Sequence, residues 1–339
     1  MSAIRLNHWY NPAPEEVMET HYQFLSHLSG PTVIHIEGED ATRTRVIVTL
    51  LHGNEPSGLN AIHQLLKQGI KPKTNLKLII ASVVAAKTEP VFTHRMLPGR
   101  RDLNRCFKPP YEDLQGKLAG TLREMIAEYQ PEAVLDVHNT SGSGPAFAVA
   151  ITECERTLAL ASYFTHRIIV TDIRLGSLME VDFGCPVVTI ECGGSQDADS
   201  DVIALTGIQA FIGQDELFQV QQDVELLKHP RRLQIKPQST ISYGETLNPS
   251  TSITICQNVE KHNFGITLPE QVLGYLPEDG LNHFELDETS SEYSVSDFFE
   301  IRGGQLFCKQ PLRLFMVTTR ADIAKSDCLF YFVKATAGS

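Results

Sequence analysis

The run Val46-Ile47-Val48-Thr49-Leu50-Leu51-His52-Gly53-Asn54-Glu55-Pro56-Ser57-Gly58 passes from a β-branched apolar stretch through a polar turn into the start of a helix. The apolar half reads as a buried strand, Val46 to Leu51. Pro56 suits the first turn of a helix, because its missing N–H would have no partner there; the pattern after it predicts a helix from about Pro56 to Lys67. A second strand-like run, Leu76 to Val83, comes next. Strand, helix and strand in this order predict an α/β fold. His52 and Glu55 then lie where a strand gives way to a helix, at the strand ends where α/β sheets carry their sites.

Two later runs are built the same way. Ala133 to Leu135 leads into Asp136-Val137-His138-Asn139-Thr140, and Pro186 to Ile190 leads into Glu191, followed by Cys192-Gly193-Gly194. A hydrolytic zinc needs about three nitrogen or oxygen ligands and an open position for water. His52, Glu55 and His138 supply that set, with no helical HExxH in the chain. A His-x-x-Glu spacing arises by chance roughly once in a chain of this composition, so the strand-end placement carries the metal reading. Burial at the end of an apolar strand raises the Glu191 carboxyl toward the range of a general base. The competing reading is a carboxylate that caps nearby backbone N–H groups.

The polar segment from Thr88 to Pro110 is too long for a plain connection and is expected to line the site. It holds Arg95, Arg100, Arg101 and Arg105 in an otherwise acidic protein. Arginine is a fork-shaped donor for carboxylates and developing oxyanions. Asn104 and Arg105 are placed to meet a bound carboxylate, with Asp102 holding the loop; Arg100 and Arg101 read equally well as a solvated basic surface.

The 339 residues are comfortable for two domains, 1–228 and 229–339, and 42% of them are hydrophobic. A formal charge of -12 argues against nucleic acid or an anionic membrane as partner. No apolar window reaches membrane-span length and no signal pattern opens the chain, so a cytoplasmic location is expected. Seven scattered cysteines without a CxxC pair argue against a disulfide framework or a thiolate zinc site and read mostly as buried thiols. Further helices are predicted over about Tyr111 to Tyr129, with Leu114, Leu118, Leu122 and Ile126 on one face, and near Cys154 to Thr165. Further strands are predicted at Ala146 to Ala150 and Arg167 to Val170. Beyond Leu227 short β-like runs take over: Leu233 to Ile235, Thr251 to Ile255, Leu306 to Phe307, Leu312 to Val317 and Phe330 to Val333. The dense carboxylates between Glu278 and Glu300 read as a solvated face.

His52-Gly53-Asn54-Glu55 with Ser57-Gly58, Asp102-Leu103-Asn104-Arg105 with Phe107, Asp136-Val137-His138-Asn139-Thr140 and Ile190-Glu191 together resemble the succinylglutamate desuccinylase/aspartoacylase family of zinc-dependent deacylases, relatives of the zinc carboxypeptidases. The resemblance covers about the first 195 residues; beyond Leu227 it is one of layout. It implies a carboxypeptidase-like mixed sheet flanked by helices, with a smaller β-rich C-terminal domain. It also implies a single zinc ion per chain on His52, Glu55 and His138, and Glu191 as general base and proton donor to the leaving amine. Asn104 and Arg105 would bind the carboxylate of a small N-acyl amino acid, and Arg95, or else Arg100, would polarise the scissile carbonyl. The family arginine that reads a second substrate carboxylate has no counterpart between Leu175 and Ile190; Arg174 is the nearest. Cleavage of short peptides and non-catalytic carboxylate binding are the alternatives, and a homo-oligomer is left open.

Overall fold

The computed structural model describes residues 4–140, 142–287 and 292–335. It divides into two compact units, Met1–Thr140 with Ala146–Leu226, and Ser141–Pro145 with Leu227–Ser339.

In chain order the first unit has β1 (Asn7–Tyr10), α1 (His21–His27), β2 (Thr32–Ile36), β3 (Asp40–Thr49), α2 (Ser57–Lys67), β4 (Thr74–Ile80), α3 (Val83–Lys87) and α4 (Leu114–Glu128). There follow β5 (Ala133–Thr140), β6 (Phe147–Ala150), α5 (Glu155–Ser162), β7 (Arg167–Val170), β8 (Val187–Gly194), α6 (Ser200–Gly213) and, at the unit's boundary, β9 (Glu225–Lys228). The nine strands form one sheet in the order β1-β2-β4-β3-β5-β8-β6-β7-β9. Its centre, β4-β3-β5-β8, is parallel. Antiparallel joints at β2–β4 and β6–β8 make the sheet mixed.

Alternate residues of the central strands feed two apolar layers, as the period of a strand dictates. Ile47, Leu135, Val137, Val188 and Ile190 pack with Leu59 and Ile62 of α2 and Ile208 and Phe211 of α6. Val46, Val48, Val134 and Val187 pack with Leu118, Leu122 and Ile126 of α4. Leu114 departs from the expected face and is exposed. It is the first residue of a helix that starts late because the Asp113 side chain caps it, accepting from the Gly116 N–H. Buried Ala119 completes the apolar stripe instead.

Two tight approaches shape the opening motif. A Cβ on Gly58 would lie 2.2 Å from Thr49 Oγ1, and one on Gly53 would lie 2.6 Å from both Ala86 N and the His94 carbonyl. Gly58 therefore lets α2 settle on β3, and Gly53 lets the turn press against α3. Gly58→Ala is expected to destabilise the protein by about 1–3 kcal/mol through overpacking, seen as a lower urea midpoint at unchanged slope.

Arg45 is buried among these strands, 1% exposed. Its guanidinium pairs with Glu132 and donates to the carbonyls of Phe211 and Gln214 at the end of α6. Nothing in the pattern of the sequence marked it, because it alternates with Arg43 at a strand's beginning.

The second unit holds two five-stranded sheets among the described residues. One comprises β10 (Arg231–Ile235), β13 (Ile266–Thr267), β15 (Phe284–Leu286), β18 (Leu312–Phe315) and β19 (Phe330–Lys334). The other comprises β11 (Ile241–Gly244), β12 (Ile253–Cys256), β14 (Gly274–Tyr275), β16 (Phe299–Arg302) and β17 (Gln305–Cys308). Its apolar core includes Leu233, Ile255, Phe298, Phe299, Phe330 and Phe332. The carboxylate-rich segment is more than a solvated face: Asp287 is buried and accepts from the Arg232 N–H. Residues 288–291 of that segment lie outside the described residues. All seven cysteines are free thiols, and no helix among the described residues is long and apolar enough to cross a membrane.

Candidate metal centre

The register of the sheet assembles the site. β5 and β8 run parallel with His138 opposite Glu191 and Asp136 opposite Thr189. Their neighbours Val137 and Ile190 point into the α2–α6 layer. Period-two alternation therefore sends Asp136, His138 and Glu191 to the other face, the one under α4. β3 stops at Thr49, earlier than expected, and Leu50 takes a left-handed φ of 52°. That conformation is costly for a branched side chain; it turns the chain so that Leu50 and Leu51 enter opposite apolar layers. His52 follows on the turn. The Thr88–Pro110 segment then brings Asp102 and Arg95 to the same place.

His52, Glu55 and His138 are buried, and one ligand atom from each lies within 4.8 Å of the others. His52 Nδ1 is 2.8 Å from Glu55 Oε1, and His138 Nδ1 is 2.6 Å from Glu55 Oε2. The far nitrogens are also held, His52 Nε2 by Asp102 Oδ1 at 2.9 Å and His138 Nε2 by Asp136 Oδ2 at 2.8 Å. An ionised carboxylate can only accept and a neutral imidazole has one N–H, so one nitrogen of each ring would face a carboxylate with a lone pair. Acceptor against acceptor at this distance requires a cation between them, either an added proton on each ring or one metal ion. The donor set and the carboxylate-backed imidazoles fit a divalent ion such as zinc. In the absence of an ion, burial opposes charge on His138, but Asp136 and Glu55 outweigh it and raise its pKa well above the ordinary value. Burial likewise opposes the Glu55 carboxylate, and the two imidazoles outweigh it, holding the group well below the usual range.

Glu191 Oε2 is buried without a hydrogen-bond partner. Burial pushes the Glu191 carboxyl up to about 7 against the pull of His138. Arg95 donates from Nε and Nη2 to Asp102 Oδ2 at 3.0 and 2.9 Å, and its Nη1 lies 3.5 Å from Glu55 Oε1. Asn104 is buried; its oxygen accepts from the Leu178 N–H at 3.0 Å, and its amide nitrogen lies 3.5 Å from a His138 Nε2 already committed to Asp136. Arg105 donates to the Asn104 carbonyl at 2.9 Å. Arg100 is exposed, and Arg174 turns back onto the carbonyls of Thr171 and Ile173.

Residues 41–207 match the family described as the succinylglutamate desuccinylase/aspartoacylase catalytic domain. The chain carries a domain of that family. The match runs from the start of β3 into α6 and contains His52, Glu55, Arg95, Asn104, Arg105, His138 and Glu191. Solved structures share the fold over most of the chain. A succinylglutamate desuccinylase/aspartoacylase from Rhodobacter sphaeroides has a TM-score of 0.58 at 14% identity, covering 89% of each chain. The succinylglutamate desuccinylase of Vibrio cholerae has a TM-score of 0.56 at 13% identity, covering 94% of this chain and 95% of its own. A mutant of murine aminoacylase 3 gives 0.53 at 17% identity, covering 88% and 96%. No curated protein matches the sequence at a significant level.

Three residues of the desuccinylase/aspartoacylase-like site escaped the sequence reading in their observed roles. Asp136 backs His138, Asp102 backs His52 as well as its own loop, and Asn139 ties the site's walls together. The Asn139 amide donates to Ser57 Oγ and the Gly193 carbonyl, and its oxygen accepts from the Ser57 N–H. Asp136 had a readable signal, an ionisable residue two positions before a histidine on an otherwise apolar strand. Asp136→Asn is expected to weaken zinc binding about 10–100-fold, measured by competition with a chromogenic chelator. An unchanged zinc affinity would remove Asp136 from this role.

Proposed function

We propose that this protein is a zinc-dependent hydrolase of the amide bond in small N-acyl amino acids. The observation that carries the reading is the pair of carboxylate-backed imidazoles around Glu55, with the unpartnered Glu191 carboxyl on the adjoining strand. His52, Glu55 and His138 would hold the ion, which when bound would activate a water and polarise the scissile carbonyl. Glu191 accepts the proton of the attacking water and returns it to the departing amine. Its lack of any other partner leaves the carboxyl available for both transfers. Arg95, fixed by Asp102, offers its guanidinium to the developing oxyanion. Arg105 and the amide of Asn104 receive the amino-acid carboxylate.

The test is a panel of N-acyl amino acids assayed for released amine, alongside elemental analysis. The purified protein should hold about one zinc per chain. Chelation should abolish amine release, and added zinc should restore it. Undiminished turnover after complete metal removal would defeat the proposal.

A further inference from the structure

Glu191 Oε2 is buried and makes no hydrogen bond among the described residues, so the aim of this carboxylate rests on the backbone to either side of it. Up to Glu191 that backbone keeps in step with β5, Ile190 opposite Val137 and Glu191 opposite His138. Immediately afterwards the ladder breaks. Thr140 stands opposite Gly194, so two residues of β8, Cys192 and Gly193, face the single residue Asn139 of β5. Such a β-bulge adds a local twist that re-aims the side chains beside it. Gly193 permits it with a φ of 105°, a conformation that a Cβ disfavours.

Asn139 locks the bulge. Alternation with His138 sends its side chain to the α2 face of the sheet, where the residue is 2% exposed. Its Nδ2 donates to the Gly193 carbonyl at 3.1 Å and to Ser57 Oγ at 2.9 Å, and its Oδ1 accepts from the Ser57 N–H at 3.0 Å. One amide therefore joins the first turn of α2, two residues after Glu55, to the strand two residues after Glu191. Beyond the bulge Gly194 is pinned: its N–H donates to Asp197 Oδ2, and its carbonyl accepts from the Ser200 hydroxyl, each at 2.7 Å. With that end fixed, slack from a lost Asn139 amide falls on Gly193 and the residues before it.

We propose that Asn139 is a positioning residue for proton transfer: by holding the Gly193 carbonyl it fixes the bulge that aims the Glu191 carboxylate into the site. The proposal rests on the hydrolase reading above. Asn139→Ala should lower kcat about 10–100-fold at saturating zinc, the cost of a reacting group displaced by about 1 Å, and leave KM within about threefold. A double-mutant cycle separates positioning from general damage: in the Glu191→Gln background the same substitution should cost less than about threefold. Gly193→Ala disturbs the same bulge without leaving the amide unpaired, and gives the same pattern if Asn139→Ala fails to fold. Crystal structures of the zinc-loaded variants supply a readout apart from turnover, with the Glu191 carboxyl displaced and His52, Glu55 and His138 in place. Full kcat in the single variants, a loss undiminished beside Glu191→Gln, or an unmoved Glu191 would overturn the proposal. If the native protein turns over no N-acyl amino acid, the hydrolase reading falls, and the position of Glu191 in the variant structures still decides the role of Asn139.

Discussion

Replacing Glu191 by glutamine is expected to lower turnover by about two to four orders of magnitude while zinc stays bound. The variant keeps the shape of the side chain and its place opposite His138. On the proposed mechanism it removes the group that takes a proton from water and releases it again. On the same mechanism this residue is expected to set the acid side of the pH profile. Burial lifts its carboxyl to about 7, and only the ionised form acts as a base. Turnover should therefore rise with pH and level off, falling about tenfold per unit once the carboxyl is protonated. A bound divalent ion favours the carboxylate, so the inflection belongs at or below about pH 7. Near-normal turnover in the zinc-loaded variant, or an unchanged acid limb in its residual activity, would assign the proton transfer elsewhere.

The second large effect concerns folding. Arg45→Ala is expected to cost about 2–4 kcal/mol, because it strands two carbonyls that the guanidinium now satisfies and leaves the Glu132 carboxylate with only Arg43, 3.6 Å away. Arg45→Met, which keeps most of the volume, should recover only the packing part. Chemical denaturation of both variants checks this. A loss within about 1 kcal/mol for Arg45→Ala would mean that water replaces the guanidinium without penalty.

How far the sequence revealed this protein follows from how locally each feature is determined. His52, His138 and Glu191 were visible because each ends or interrupts an apolar run, where an ionisable group needs a reason, and Glu55 because it stands three positions after His52 at the start of a helix. The central strands and α2 were visible through their periodicity and Pro56. The edge strand Asn7–Tyr10 and its neighbour Thr32–Ile36 were not singled out, since His8, Tyr10 and His35 break the apolar run that a buried strand shows. The antiparallel joints at β2–β4 and β6–β8 depend on pairing between distant segments, which no window reports. Asp102 illustrates the same limit: it was read as a loop anchor, which it is through the Asn104 N–H, but its bond to His52 spans 50 positions. Arg45 needed the end of α6 to explain it, more than a hundred and sixty residues away.

The in-line pairing of His138 with Glu191 also restricts how such a protein can change over generations. Point substitutions of exposed side chains can retune the loops around the site without shifting these strands. A single codon gained or lost within β5 or β8 is a different event: a one-residue slip would exchange Glu191 for Ile190 on the α4 face and drive the carboxylate into the apolar layer beneath α2 and α6. Such indels should be purged from this lineage. Length variation should accumulate in the connecting loops, so new specificities would come from remodelled rims around an unshifted pair of strands.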